Sequence, residues 1–206
     1  MSKTLYLFAD VETTGENFDR PYRHYRDNQM LQIAYQLWNR DLSGKLAQGD
    51  FVVKLGEPQT AIDSMNEYVK NMHTETKLID RLFDTAQTTS LRDIDKTLSK
   101  QLKPFAEQGY RIILTGNNVQ FDFENMRRYL PNSIQYVHYS LLDVSSIRRT
   151  FDIIGSDFGT KTKQNKASNH NAQVDIEECR KELHAYLDII KKGSQWHKQF
   201  YPQNKF

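Results

Sequence analysis

Cysteine is almost missing from this chain. Cys179 is the single thiol in 206 residues. One cysteine cannot form an internal disulfide or a Cys-based zinc site, and a reducing, cytoplasmic setting is the expectation. Long apolar runs are missing as well. The opening residues Met1-Ser2-Lys3 lead into an apolar run that is too short for a signal segment and is interrupted by Asp10. No targeting or membrane-spanning segment is expected from this pattern. A strong charge excess is also lacking: the net charge is +2 and the pI about 8.5, so bulk charge alone does not single out a nucleic-acid partner. There are no internal repeats and no linker-like shift in composition. With 38% hydrophobic and 26% charged residues, the chain is long enough for one domain with a sizeable core.

Within that frame the informative stretch is Leu5 to Gly15. It begins as an apolar, β-type run and places Asp10 and Glu12 two residues apart. Alternate residues of a strand share a face, so the two carboxylates point the same way. Each raises the other's pKa, and a hard divalent cation such as Mg²⁺ or Mn²⁺ relieves the repulsion. A strand that runs out into solvent with both acids hydrated is the alternative.

The spacing predicts strands over Thr4–Ala9, Gln29–Trp38 and Asp50–Leu55, the first buried on both faces. Helices are expected over Ala61–Met72, Leu78–Phe83 and Ser90–Ala106, the last capped by Ser90. A strand at Arg111–Thr115, a helix at Asp122–Tyr129, a strand at His138–Asp143 and a helix at Val144–Ile154 follow. A long helix from Asn171 to Lys192, ended by Gly193, completes the core. The fold class is α/β: a mixed five-stranded sheet flanked by helices, as one domain over residues 1–193 with a tail over 194–206. Asp122 stands between a strand end and a helix start, where it is either a ligand-binding residue or a helix N-cap. His170 and Asp175 open the last helix, where each is either functional or simply solvated.

The segments Asp10-Val11-Glu12-Thr13-Thr14-Gly15, Asn117 to Asp122 and His170-x-x-x-x-Asp175 together resemble the three motifs of the DEDDh 3′→5′ exonucleases. That group includes RNase T, the proofreading exonuclease subunits and oligoribonuclease. The stretches from Met65 to Thr76 and from His138 to Ile147 resemble oligoribonuclease in particular. The resemblance implies an RNase H-like fold and metal-dependent hydrolysis of short single-stranded RNA to 5′-mononucleotides. It implies that Asp10, Glu12 and Asp175 hold one ion, that Asp10 bridges to a second, and that Asp122 acts directly or through a bound water. His170 takes the part of general base, and an unperturbed imidazole titrates near about 6.5. For substrate, the resemblance points to Thr13, Gly15, Asn118 and Ser145, with Tyr68 at the position of a base-stacking tryptophan. His138 and Tyr139 match residues that reach into a partner subunit, which implies a homodimer.

Three positions depart from that pattern. Glu16 replaces a base-wedging leucine, Asn118 a serine, and Ser140 an arginine. The last two belong to a cap on the 5′ phosphate of a diribonucleotide. The basic-aromatic segment Phe18 to Asp27 offers phosphate contacts and stacking to a longer strand. Cys179 reads as a small core residue. A single-strand DNA exonuclease of trimming or proofreading type and an inactive nucleic-acid-binding module are the competing readings.

Overall fold

The structure, a computed structural model, describes residues 3–15, 28–156, 159 and 171–200. Glu16, the segment Phe18 to Asp27, the basic lysines between 160 and 170, His170 and residues 201–206 lie outside the described residues.

Strand β1 (Thr4–Thr13) is central in the sheet. It pairs antiparallel with β2 (Met30–Trp38), which pairs antiparallel with β3 (Lys45–Val53). On its other side β1 pairs parallel with β5 (Arg111–Gly116), and β5 pairs parallel with β6 (Leu142–Asp143). A sixth strand, β4 (Thr88–Thr89), adds parallel to β3, giving the order β4-β3-β2-β1-β5-β6. The expected count of five strands is therefore one short, because two residues are too few to display a period in sequence. The strand expected over His138–Asp143 contracts to β6 plus an isolated bridge between Ile112 and Val137. β1 runs four residues beyond its expected end, so Asp10 and Glu12 sit inside the strand.

Helices cover both faces of the sheet. They are α1 (Pro58–Asp63), α2 (Glu67–Glu75), α3 (Leu78–Phe83), α4 (Leu91–Glu107), α5 (Gln120–Tyr129), α6 (Pro131–Ile134), α7 (Val144–Ile153) and α8 (Ala172–Phe200). The single helix expected over Ala61–Met72 is in fact two. Asn66 breaks it, adopting extended backbone and accepting the Val69 N–H to cap α2. Ser90 caps α4 as expected, its hydroxyl accepting the Asp93 N–H. Gly193 does not end α8, which continues to Phe200. A glycine inside a helix costs only about 1 kcal/mol relative to alanine, so it stops a helix only where the chain needs to turn.

Odd-numbered residues of β1 (Leu5, Leu7, Ala9, Val11) pack with Ile94, Leu98 and Leu102 of α4 and Met126 of α5. On the opposite face, Phe8, Ala34 and Trp38 pack with Ala172, Ile176, Cys179, Leu183 and Tyr186 of α8. Cys179 is a buried core residue there. Asp10 and Glu12 share the parity of Phe8 and so face α8.

Asp95 of α4 is 3% exposed and holds α6 in place. Its carboxylate accepts from the Asn132 and Ser133 N–H groups, the Asn132 side-chain amide and the Ser133 hydroxyl. Asp95→Ala removes the acceptor of the buried Ser133 N–H and of the partly buried Asn132 donors, and a loss of about 3 kcal/mol is expected in chemical denaturation. A change under about 0.5 kcal/mol would show that water replaces the carboxylate.

Candidate metal centre and substrate cleft

Two elements deliver three carboxylates to one point. β1 contributes Asp10 and Glu12 from one face, and α8 contributes Asp175 from its first turn. Asn171 stabilises that turn, its side-chain oxygen accepting the Gln173 and Val174 N–H groups. An acid in the first turn is favoured by the helix dipole, so local structure and site agree at Asp175. One oxygen from each of Asp10, Glu12 and Asp175 lies within 4.8 Å of the others. This is the one such group the described residues contain.

Asp122 approaches from the other side. It lies in the first turn of α5 and is 4% exposed, and its carboxylate accepts the Val11 N–H at 3.0 Å. It is therefore not the N-cap of its helix, whose cap position is Val119. The bond to Val11, between Asp10 and Glu12 in sequence, ties the fourth acid to the strand that carries the first two.

A cavity of about 230 Å³ opens over these groups. Asp10, Glu12, Asp122 and Asp175 line it together with Thr13, Gly15, Asn117 and Asn118, and its apolar wall is Val69, Met72 and Phe121. The Thr13 hydroxyl donates to the Gly15 carbonyl at 2.7 Å, folding the end of β1 into a turn. A Cβ at Gly15 would lie 2.7 Å from the Asn28 side-chain oxygen, so a larger residue there would displace the Asn28 side chain, whose amide donates to the Gly15 carbonyl. Asn118 has a φ of 53°, a left-handed geometry that asparagine tolerates.

The remaining candidates fall around this cavity rather than in it. Tyr68 is 56% exposed on α2 and does not line the cavity, whereas its neighbour Val69 does. Ser145 is buried, its hydroxyl donating to the Asn117 side chain and accepting the Asn118 N–H. Asp143 accepts that same Asn118 N–H. Arg148 closes the network by donating to Ser145 and to the buried Glu182 of α8. Tyr139 is exposed and its ring lies against that of His138, with centroids 4.3 Å apart. The sequence reading missed Val69, Met72 and Phe121 as cavity walls, and His73 as a neighbour of Glu12. His73 is fully buried, with Nδ1 3.9 Å from a Glu12 oxygen. Its position one turn after Val69 was the available signal.

Electrostatics favour a cation here. Burial, reinforced by Asp175, pushes the Asp10 carboxyl from 3.8 up to about 7. Burial, then Asp10 and Asp175, raises Glu12 well above its ordinary value. Burial and then Asp10 raise Asp122, against the opposing pull of the Val11 N–H. Clustered hard oxygen donors that resist ionising together suit a divalent ion of the magnesium or manganese type.

No protein-family model matches the chain. Curated relatives do. It is 27% identical over 186 residues to an oligoribonuclease of Francisella tularensis, an alignment covering 87% of this chain and 92% of that one. It is 26% identical over 189 residues to the mitochondrial oligoribonuclease of Bos taurus, covering 90% of this chain and 73% of that one. The chain is thus similar to oligoribonucleases over most of its length. Among solved structures, a 3′-exonuclease bound to a histone mRNA stem-loop superposes with a TM-score of 0.58 at 12% identity, covering 91% of this chain and 83% of that one. Escherichia coli exonuclease I with a dT13 oligonucleotide gives 0.53 at 17% identity. That match covers 98% of this chain, which spans 44% of exonuclease I. The fold is RNase H-like, a mixed sheet flanked by helices, shared with these exonucleases. No helix among the described residues is long and apolar enough to cross a membrane.

The raised Asp10 value sets a pH dependence. Because it lies above the ordinary 3.8, the metal-free fold is favoured by protonation, and that contribution falls away as pH rises through about 7. Asp10→Asn removes the charge, so metal-free Asp10→Asn is expected to melt above the wild type at pH 8 in calorimetry. The difference is expected to close towards pH 4. Equal melting at pH 8 would mean that Asp10 is hydrated rather than buried.

Proposed function

We propose that this chain is a divalent-metal-dependent 3′→5′ exoribonuclease of the oligoribonuclease kind. In this reading one exonuclease domain, residues 1–193, hydrolyses short single-stranded RNA to 5′-mononucleotides. The observation that carries the reading is the meeting of the Asp10, Glu12 and Asp175 oxygens within 4.8 Å at the floor of a cleft. The relationship to oligoribonucleases supports it.

Asp10, Glu12 and Asp175, with Asp122 beside them, would hold Mg²⁺ or Mn²⁺ ions. When bound, the pair of ions supplies positive charge to the phosphodiester and acidifies the attacking water. His170, five residues before Asp175, accepts the proton of that water as general base. Val69, Met72 and Phe121 form the apolar wall against which the terminal base packs. Thr13, Gly15 and Asn118 edge the backbone path. Ser145 acts by bracing Asn117 and Asn118. Exposed Tyr68 stacks a base further along the strand. Tyr139 and His138 reach the site of a second subunit, making the enzyme a cytoplasmic homodimer.

A labelled series of RNA and DNA oligomers, from two to about twenty nucleotides, tests the substrate. Metal-dependent shortening from the 3′ end with RNA preferred is the expected result, and EDTA abolishes it. Equal rates on DNA would move the reading to a DNA exonuclease; exonuclease I, seen with dT13, is the precedent in this fold. No shortening of any oligomer would leave a nucleic-acid-binding module.

Two substitutions test the chemistry. His170→Ala is expected to keep Mn²⁺ binding and lose at least about a hundredfold in kcat, within the range for a general base. Asp175→Asn is expected to lose both activity and Mn²⁺ binding. Wild-type turnover in either variant would remove the role assigned to that residue.

A further inference from the structure

We propose that His73 is a positioning residue that sets the Glu12 carboxylate and couples the cleft wall to the metal centre. The inference rests on the metal-dependent nuclease reading and assigns that site a supporting group. His73 lies in the last turn of α2 with none of its side chain exposed. Burying an imidazole is costly unless its nitrogens are engaged. Nε2 lies 2.9 Å from the Thr13 carbonyl oxygen. A carbonyl only accepts, so Nε2 carries the hydrogen and donates it. The opposite nitrogen, Nδ1, faces the Glu12 carboxylate at 3.9 Å. One ring therefore donates to the main chain one residue beyond the ligand and lies beside the ligand's side chain, at a distance too long for a hydrogen bond.

That main chain is an irregular point. The pairing of β1 with β2 shifts register between Glu12 and Thr13. A shift of this kind re-aims the side chains next to it, and the pairing resumes beyond it at Thr13 with Met30. The bond from His73 to the Thr13 carbonyl fixes the strand from α2 at that point. Glu12 is thus held on the α8 face, within reach of Asp10 and Asp175.

The same helix carries Val69, one turn earlier, and Met72, and both line the cleft. A shift of α2 that follows the packing of a base against Val69 and Met72 also moves the ring that is bonded to the strand beside Glu12. A histidine filling core volume alone would not place one nitrogen on the ligand-bearing strand and the other towards the ligand. Partners of this kind behind a metal ligand typically change metal affinity about 10- to 100-fold when removed.

Three substitutions separate the contacts. His73→Leu keeps volume and neither polar atom. His73→Asn places an amide near the Nδ1 position, and His73→Gln places an amide N–H near the Nε2 position. Mn²⁺ binding is measured by the electron paramagnetic resonance signal of free Mn²⁺, and folding by circular dichroism in EDTA. Folded His73→Leu and His73→Asn are expected to bind Mn²⁺ at least about tenfold more weakly than wild type. His73→Gln is expected to regain most of the affinity by restoring the donor to Thr13. Wild-type affinity in His73→Leu or His73→Asn overturns the proposal, and so does a folded His73→Gln no better than His73→Asn. If His73→Leu does not fold, the contrast between His73→Gln and His73→Asn decides. Asp175→Asn runs alongside: loss of Mn²⁺ binding there, with His73 variants binding as wild type, sinks the positioning role and spares the metal site. Failure of the wild type to bind Mn²⁺ sinks both.

Discussion

Close packing of carboxylates around one cavity is the constraint around which this molecule is arranged. Asp10, Glu12 and Asp175 are held close enough to share an ion, and burial first, then the neighbouring carboxylates, make Asp10 and Glu12 resist ionisation. Such a cluster survives only where surrounding structure leaves it no room to spread. β1 provides that rigidity, since it is paired on both sides and packed on both faces. α8 adds the third acid from a helix whose first turn is capped by Asn171.

The ends of the site are held differently from its floor. Asp122 binds the Val11 N–H, so the α5 acid is referenced to the same strand as Asp10 and Glu12. His73 donates to the buried carbonyl of Thr13 at the end of that strand. The loop at Asn117 and Asn118 is braced from below by Ser145, Arg148 and Glu182, a chain of polar groups that ends on α8. The acid cluster, the apolar wall and the Asn117–Asn118 edge of the cavity are thus each tied to β1 or α8. A displacement of either element is felt at the groups tied to it.

The Ser145 contacts lock one edge of the cavity. Its hydroxyl is turned inward to Asn117 and Asn118, and Asp143 accepts the Asn118 N–H beside it. Arg148 donates to Ser145 and Arg149 lies 3.8 Å from the Asp143 carboxylate, so this edge carries charge of both signs.

Much of this was legible in the chain itself. The period-two spacing of Asp10 and Glu12 fixes a shared face, and the three motifs in order carry the fold and the acid set. Caps such as Ser90 follow from local hydrogen bonding alone. What the sequence could not supply is whatever depends on distant segments meeting. β4 exists only because Thr88 and Thr89 lie beside Val52 and Val53. The break at Asn66 and the passage of α8 through Gly193 were decided by packing and by the absence of any required turn. Val69, Met72 and Phe121 read as ordinary apolar positions until folding puts them over the acids. The linear pattern determined which groups can carry the chemistry, because periodicity and local bonding are short-range. Tertiary structure alone decided which of them share a cavity, because proximity across many residues is set by the packing of the whole sheet.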